Sequence, residues 1–174
     1  MIEAWHFVGD TLRDGRPIPA DGEWLVHTGS VRICSSGLHA SRRPAHALEY
    51  APGPVLCRVM CDEIVAEQSD KLVCRRRMIV ERIDLNETLR YFARMQALSV
   101  IHMYNDPPDV VLDYLMTGDE SLRAAAWAAA WAAAWDAAWA AAGASAWAAA
   151  RAAAGAAARA AFDALVYEQF GSER

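Results

Sequence analysis

The chain has 174 residues and a formal net charge of −5 at pH 7. It is long enough for one domain with an appendage, and it lacks the basic excess of a general nucleic-acid-binding protein. Its 4 cysteines include no CxxC pair, which favours free thiols in a reducing cytosol over a metal site. The N-terminus has no signal-peptide pattern. We therefore expect a cytoplasmic protein that binds no metal, nucleic acid or membrane.

The first 83 residues predict a strand-rich α+β domain. Apolar runs separated by Gly- and Pro-rich turns indicate strands, while the small-residue run 35–41 is expected to be a connection. One short helix is predicted over residues 43–50, with Ser41 as its N-cap and Pro44 in its first turn. The predicted strands are residues 4–8, 23–27, 30–34, 55–61, 64–67, 72–74 and 78–83.

Residues 84–118 predict a helical bridge. Apolar residues recur at helical spacing after a cap at Asp84 or Asn86, and the pattern continues to about residue 104. An Asn-Asp-Pro-Pro run then breaks the helix, and a second helix is expected over residues 109–116.

Residues 119–170 are dominated by an alanine-rich tract in which mainly every fourth position differs. Alanine is the strongest helix former, so we predict one long helix, or two helices joined near Gly143. Residues four apart on a helix form a slanted stripe, and a stripe of indoles in water demands a partner. The partner is either the chain's own domain or a second copy, and we expect the stripe to drive homo-oligomerisation. Its tryptophans are Trp127, Trp131, Trp135, Trp139 and Trp147.

Three other interpretations of this tract remain open. They are an unstructured or aggregation-prone tail, a membrane span and a ladder that stacks nucleic-acid bases. Asp136, Ser145 and Arg151 interrupt the apolar run, which disfavours a membrane span. A base-stacking ladder requires interleaved cations, and the tract has few. Oligomerisation is the interpretation that the pattern favours.

Aromatic and basic side chains in the first domain suit a nucleotide-like ligand. The rings of His39 and Tyr50 can sandwich a planar base, and His6 can donate to a ribose hydroxyl. Arginine presents a bidentate fork to phosphate, and three arginines lie in succession. Each of these residues also has a structural alternative. The two histidines suit core or capping positions, the tyrosine suits an aromatic position at the end of a helix, and the arginines suit the solvated face of a strand. The predicted ligand-binding residues are His6, His39, Tyr50, Arg75, Arg76 and Arg77.

The same segment resembles the ADP-ribosyltransferase superfamily, particularly its poly(ADP-ribose) polymerase-like branch. The turn Gly37-Leu38-His39-Ala40-Ser41 precedes a short helix that ends at Tyr50, and an apolar strand begins at Val55. Tyr50 follows His39 by eleven residues, which is the spacing between the family's two tyrosines. The resemblance covers about residues 4–83 and implies NAD as the ligand.

The resemblance also implies catalytic roles. His6, within Trp-His-Phe, matches the family's histidine motif, and Asp70, or less well Glu67, matches its acidic residue. Such a carboxylate stabilises the oxocarbenium-like charge that develops as nicotinamide leaves. The sequence departs from the family pattern, because His39 replaces the first tyrosine and the catalytic glutamate is at best an aspartate. If the chain is an enzyme, its catalytic residues are expected to be His6, His39, Asp70 and Glu67.

A second resemblance covers essentially the full length. Trp-His-Phe near the start, Cys-x-Ser-Gly-Leu-His-Ala from Cys34, the run Asp-Lys-Leu-Val-Cys-Arg-Arg-Arg from Asp70 and the Ala/Trp/Arg tail look like an uncharacterised family of actinobacterial and phage proteins. It suggests a phage-accessory context.

The sequence therefore predicts an α+β protein with a sheet domain over residues 1–83, a helical bridge over 84–118 and an oligomerisation helix over 119–170. The preferred function is binding of a nucleotide-derived small molecule, which in a phage would sequester a host nucleotide immune signal. The alternatives are an NAD-dependent ADP-ribosyltransferase and a structural or interaction protein with no small-molecule site.

Overall fold

A computed structural model describes residues 1–104, 106–130 and 144–171. Within them the fold is α+β, as predicted, and contains an antiparallel sheet. The chain divides into two compact units, Met1–Glu87 with Arg159–Arg174 and Thr88–Ala158. The first unit thus takes in the end of the segment that the sequence analysis assigned to the tail.

The sheet lies in the first unit, and every pairing in it is antiparallel. β4 pairs with β1 on one side and with β5 on the other, while β2 and β3 share the second edge of β5. The strands are β1 (Ile2–Val8), β2 (Trp24–Val26), β3 (Leu38–Ala40), β4 (Val55–Glu67) and β5 (Leu72–Asp84).

The sheet curls into a small closed ring, which we call the barrel. β3 pairs with β5, and Ser41, directly after β3, exchanges two backbone hydrogen bonds of 2.7 and 2.8 Å with Trp5 of β1. β4 has register shifts between Arg58 and Val59 and between Ile64 and Ala66, and such bulges increase the twist that closure requires. β1, β4, β5 and β3 therefore surround a common interior.

The barrel interior is filled by alternate residues of each strand, because successive side chains in a strand point to opposite faces. Leucine, valine, alanine and cysteine dominate it, and the narrow ring leaves space for side chains only. The packed residues are Ala4, Val8, Leu38, Ala40, Cys57, Val59, Cys61, Leu72, Cys74 and Ile79.

The outer face of β1 is covered by the end of the C-terminal helix, Ala144–Gln169. Trp5 meets Tyr167 and Phe170 edge-on, with ring centroids 5.7 and 5.0 Å apart. Phe162 and Val166 are fully buried. Phe162, Val166 and Phe170 recur every fourth residue, which places an apolar stripe on this face of the helix.

The same helix end holds α1 (Pro44–Leu48). The buried carboxylate of Asp163 accepts a 2.7 Å hydrogen bond from the backbone N–H of Ala45 and a 2.8 Å bond from Nε of Arg43. A helix leaves its first N–H groups without partners, so Asp163 acts as a cap supplied from a distant part of the chain.

The second unit is helical. It contains most of α2 (Asn86–Val100), α3 (Asp109–Thr117), and single 3-10 turns at Ile101–Met103 and Glu120–Leu122; residues 123–130 are also helical. α3 ends at Gly118, whose φ of 72° is in the left-handed region that glycine tolerates.

The helix predictions for residues 84–116 agree closely with the structure. The carboxylate of Asp84 accepts a 2.8 Å hydrogen bond from the N–H of Asn86, as expected for a cap. The helix predicted over residues 43–50 spans only Pro44–Leu48 in the structure, and the prediction of its cap is wrong. Ser41 does not cap α1, because its backbone is engaged with Trp5 in closing the barrel.

The predicted strand over residues 30–34 is wrong. Cys34 has a φ of 66°, and Arg32 and Ser36 form an isolated bridge that closes a tight turn. The strand lies instead at Leu38–Ala40, which was predicted as a connection. The strands predicted over 55–61 and 64–67 are one continuous strand in the structure, and so are those predicted over 72–74 and 78–83.

The predicted alanine-rich tract is described only in part. The backbone is helical over Ala144–Gln169, and Trp147 belongs to that helix, while Trp127 is 68% exposed. Trp131, Trp135 and Trp139 lie outside the described residues, so one long helix remains a prediction. None of the helices in the described part of the chain combines the length and apolar character that a membrane crossing requires.

Candidate functional site

The structure separates the predicted site residues into two groups. His6 and Arg77 belong to the barrel interior, where Arg77 is only 6% exposed. Tyr50 and Asp70 meet outside it, and Tyr50 is 51% exposed. The structure therefore does not gather the whole predicted set around one ligand.

The outer group is built from two short segments. Tyr50 follows α1, and Asp70 and Lys71 form the turn between β4 and β5, which a 2.7 Å bond from the N–H of Gln68 to the carbonyl of Lys71 closes. The Tyr50 hydroxyl donates to the Asp70 carboxylate and accepts a 3.0 Å bond from Nζ of Lys71. The same ammonium lies 4.6 Å from the centre of the Tyr50 ring.

The loop before β3 completes this group. The N–H of Cys34 donates a 3.1 Å hydrogen bond to Nε2 of His39, and the exposed Cys34 thiol interacts with Lys71. We call Tyr50, Asp70, Lys71, His39 and Cys34 the Tyr50 cluster. It combines an exposed aromatic ring with an ammonium, a carboxylate and an imidazole.

The charges of the Tyr50 cluster follow from its hydrogen bonds. The bond from Tyr50 lowers the pKa of Asp70, and the bond to Tyr50, helped by Cys34 and Asp70, raises the pKa of Lys71. Burial lowers the pKa of His39. At neutral pH the cluster therefore holds one anionic carboxylate, one ammonium and an uncharged imidazole.

Glu67, the second predicted catalytic acid, is engaged elsewhere. Its carboxylate receives two hydrogen bonds from Arg42, of 2.8 and 2.9 Å. These bonds lower the pKa of Glu67. Since Asp70 is also hydrogen-bonded, both candidate acids already have partners.

The three successive arginines have three different sets of partners. Arg75 donates to the carbonyl of Gly29 at 3.0 Å. Arg76 pairs with Asp62 at 3.1 Å and lies 4.5 Å from the ring centre of Trp24. Arg77 points inward, so the run does not form one phosphate-binding fork.

The barrel interior contains an unusual set of polar groups. Burial, with the nearby charge of Arg77, lowers the pKa of His6 well below its usual range. Burial also raises the pKa of the Cys57 thiol to about 11. The Cys74 Sγ lies 3.3 Å from the carbonyl of Leu38, and the hydrogen bond between the Cys61 and Cys74 side chains lowers the pKa of Cys74 and raises that of Cys61. Among the described residues, no three His, Cys, Asp or Glu side chains group as a metal site.

The sequence analysis did not assign a site role to Lys71 or Cys34. Lys71 forms a 3.6 Å ion pair with Asp70 within the same turn. Its contact with Tyr50 depends on α1 meeting the β4–β5 turn, which no local pattern reveals. For Cys34 the available signal was its place at the head of the Cys-x-Ser-Gly-Leu-His-Ala motif.

The chain belongs to the DUF7666 family, a domain of unknown function, whose family model matches residues 2–91. The matched region contains the five strands of the barrel sheet and the Tyr50 cluster. No curated protein and no solved structure matches the chain. The resemblances to ADP-ribosyltransferases and to phage proteins remain predictions.

Proposed function

We propose that this chain binds a nucleotide-derived small molecule at the Tyr50 cluster. The observation that carries the proposal is the half-exposed Tyr50 ring, whose hydroxyl is bonded to Asp70 and Lys71. An aromatic face, a cation and a carboxylate within one cluster match the base, phosphate and ribose of a nucleotide.

The Tyr50 ring would bind the base. The Lys71 ammonium lies over the ring, and the exposed half of the side chain offers surface to a planar group. Stacking of a base on an aromatic side chain contributes about 1–3 kcal/mol. The hydroxyl bonds to Asp70 and Lys71 fix the ring before the ligand arrives, which reduces the entropy lost on binding.

Lys71 and Asp70 would bind the rest of the ligand. Because the pKa of Lys71 is raised, the ammonium keeps its charge over the physiological range and can attract a phosphate. The Asp70 carboxylate accepts hydrogen bonds only, which suits a ribose hydroxyl. His39, uncharged at neutral pH, can accept or donate one further bond.

Binding is supported better than catalysis. The two carboxylates predicted for an ADP-ribosyltransferase are held by Tyr50 and Arg42 respectively, so neither is poised to stabilise a developing cation. The wider proposal keeps the phage context that the sequence suggests. There the protein would sequester a host nucleotide immune signal, as an oligomer assembled through the Ala/Trp helix.

Isothermal titration calorimetry with NAD, ADP-ribose and cyclic dinucleotides tests the proposal. Tyr50→Ala and Lys71→Gln should each weaken binding of the ligand at least tenfold, while Tyr50→Phe, which keeps the ring, should lose less. Tyr91→Ala is a matched control, since Tyr91 is also exposed and has Arg94 5.9 Å from its ring centre. No binding of any of these nucleotides, or unchanged binding by both cluster variants, contradicts the proposal.

A further inference from the structure

The C-terminal helix contacts both ends of α1. The carboxylate of Asp163 bonds to Ala45 and Arg43 at the start of α1. Arg159 donates a 3.2 Å hydrogen bond from its Nε to the carboxylate of Glu49, the residue that directly follows α1. Residues four apart lie on one face of a helix, about 6 Å apart along its axis. Arg159 and Asp163 therefore hold α1 together, one at each end.

α1 depends on contacts of this kind. It has only 5 residues, whereas isolated helices shorter than about 12–15 residues are marginal in water. The side chain of its N-cap residue, Arg43, makes no capping bond, and the carboxylate of Asp163 serves instead. The backbone N–H of Tyr50 donates a 3.1 Å hydrogen bond to the carbonyl of Ala47, within α1. The position of Tyr50 therefore follows the position of α1.

We infer that Arg159 and Asp163 are positioning residues for the Tyr50 cluster, because they hold α1 so that Tyr50 meets Lys71. The inference rests on the proposed function, since it gives the C-terminal helix control over the affinity of the proposed nucleotide site. Coupling between two binding events is reciprocal. A nucleotide bound at the Tyr50 cluster therefore stabilises the contact of the helix end with α1.

Lys71 provides a readout of this positioning that needs no ligand, because it is the single lysine of the chain. Its ammonium donates to the Tyr50 hydroxyl at 3.0 Å, and its side chain is only 16% exposed. The bond to Tyr50 raises the pKa of Lys71, which slows acylation because only the neutral amine reacts. Labelling of the intact protein with acetic anhydride, followed by peptide mass spectrometry, measures the rate at Lys71. Tyr50→Phe gives the faster rate expected without the hydroxyl bond.

Arg159→Gln should raise the labelling rate of Lys71 at least twofold. Exposed ion pairs contribute little to stability, so the faster labelling would report a displaced cluster and not an unfolded chain, which thermal denaturation checks. The double variant Glu49→Arg with Arg159→Glu reverses the pair and should restore the wild-type rate. Arg123→Gln is the matched control, since the Arg123–Glu120 pair is also exposed, and it should leave the rate unchanged.

Asp163→Asn keeps an acceptor for the N–H of Ala45 but loses the charge that pairs with Arg43, and it should raise the labelling rate at least threefold. Wild-type rates in both Arg159→Gln and Asp163→Asn overturn the inference, as does a reversed pair that labels as fast as Arg159→Gln. Calorimetry with NAD on the same variants should show at least a twofold loss of affinity. If labelling changes as expected but the wild type binds no nucleotide, the positioning role stands and the proposed function alone fails.

Discussion

At the scale of single residues, Asp163 connects the C-terminal helix to the first turn of α1. Its carboxylate is 2% exposed and receives hydrogen bonds from Ala45 and Arg43. The sequence did not reveal this, because a single acidic residue at the end of an alanine-rich tract looks like a solvated position. Its partners lie more than a hundred residues away, and only the folded chain brings them together.

Replacement of Asp163 by alanine should therefore destabilise the first unit. It leaves a buried backbone N–H without an acceptor, and we expect the free energy of unfolding to fall by about 2–3 kcal/mol. Urea denaturation followed by circular dichroism measures the change. Asp14→Ala is the control, since the Asp14–Arg16 pair is exposed and exposed ion pairs contribute little to stability. Equal losses in the two variants would show that Asp163 is not a buried cap.

His6 should make stability depend on pH. Its pKa in the folded protein is lowered from 6.5 by burial, so below pH 6.5 the unfolded chain binds a proton that the folded chain does not. The free energy of unfolding therefore has its full value above pH 6.5 and decreases as the pH falls towards the pKa of His6 in the folded protein. Urea denaturation between pH 7.5 and 5 should show this decline, to which His39 adds in the same direction.

His6→Gln should flatten that decline, whereas His102→Gln, which changes an exposed histidine of the second unit, should leave it unchanged. A slope in His6→Gln as steep as in the wild type would mean that His6 is protonated inside the barrel.

At the scale of elements, the strands with apolar runs were predictable, including the three-residue β2, whereas β3 was not. β1 and the two halves of β4 and β5 follow from continuous apolar stretches. β3 has three residues and is a strand because β5 and β1 flank it. The pattern at residues 30–34 suits a strand locally, but tertiary closure makes it a turn.

The candidate site was predictable only in part, for a similar reason. The eleven-residue spacing directed attention to His39 and Tyr50, and the turn acid Asp70 was chosen as a late-strand carboxylate. Their approach to Lys71 depends on how α1 meets the β4–β5 turn. Arg77 is buried and lies opposite Cys61 of β4, and a run of three arginines does not by itself indicate which of them is buried.

The end of the C-terminal helix should contribute directly to the stability of the barrel unit. Val166→Ala removes two buried methyl groups and should cost about 2 kcal/mol of unfolding free energy. Val100→Ala, at an exposed position near the end of α2, is the matched helical control and should change stability little. Thermal and urea denaturation compare the two. Similar small effects would contradict the packing of this helix on the barrel.

At the scale of the whole molecule, the alanine-rich tract itself has two parts with different expected roles. Its last turns pack within the first unit, whereas the tryptophan stripe is predicted to assemble copies of the chain. Truncation before the tract would remove both parts and would expose Trp5, so it cannot separate assembly from folding. Substitutions within the stripe separate them.

A variant with Trp127, Trp131, Trp135 and Trp139 replaced by alanine should keep its helix, since alanine favours helix, and lose its self-association. Size-exclusion chromatography with light scattering should show an oligomer for the wild type and a monomer for the variant. A monomeric wild type, or an oligomer that survives all four substitutions, would show that the stripe does not assemble the protein.

The central claim is that the Tyr50 cluster binds a nucleotide, and native mass spectrometry of the intact protein with NAD tests it most directly. We predict a non-covalent adduct of one NAD per chain, which Tyr50→Ala loses and Tyr91→Ala retains. A covalent gain of ADP-ribose mass would show an enzyme instead of a binding protein. The absence of any adduct, with NAD and with the other nucleotides, would contradict the claim.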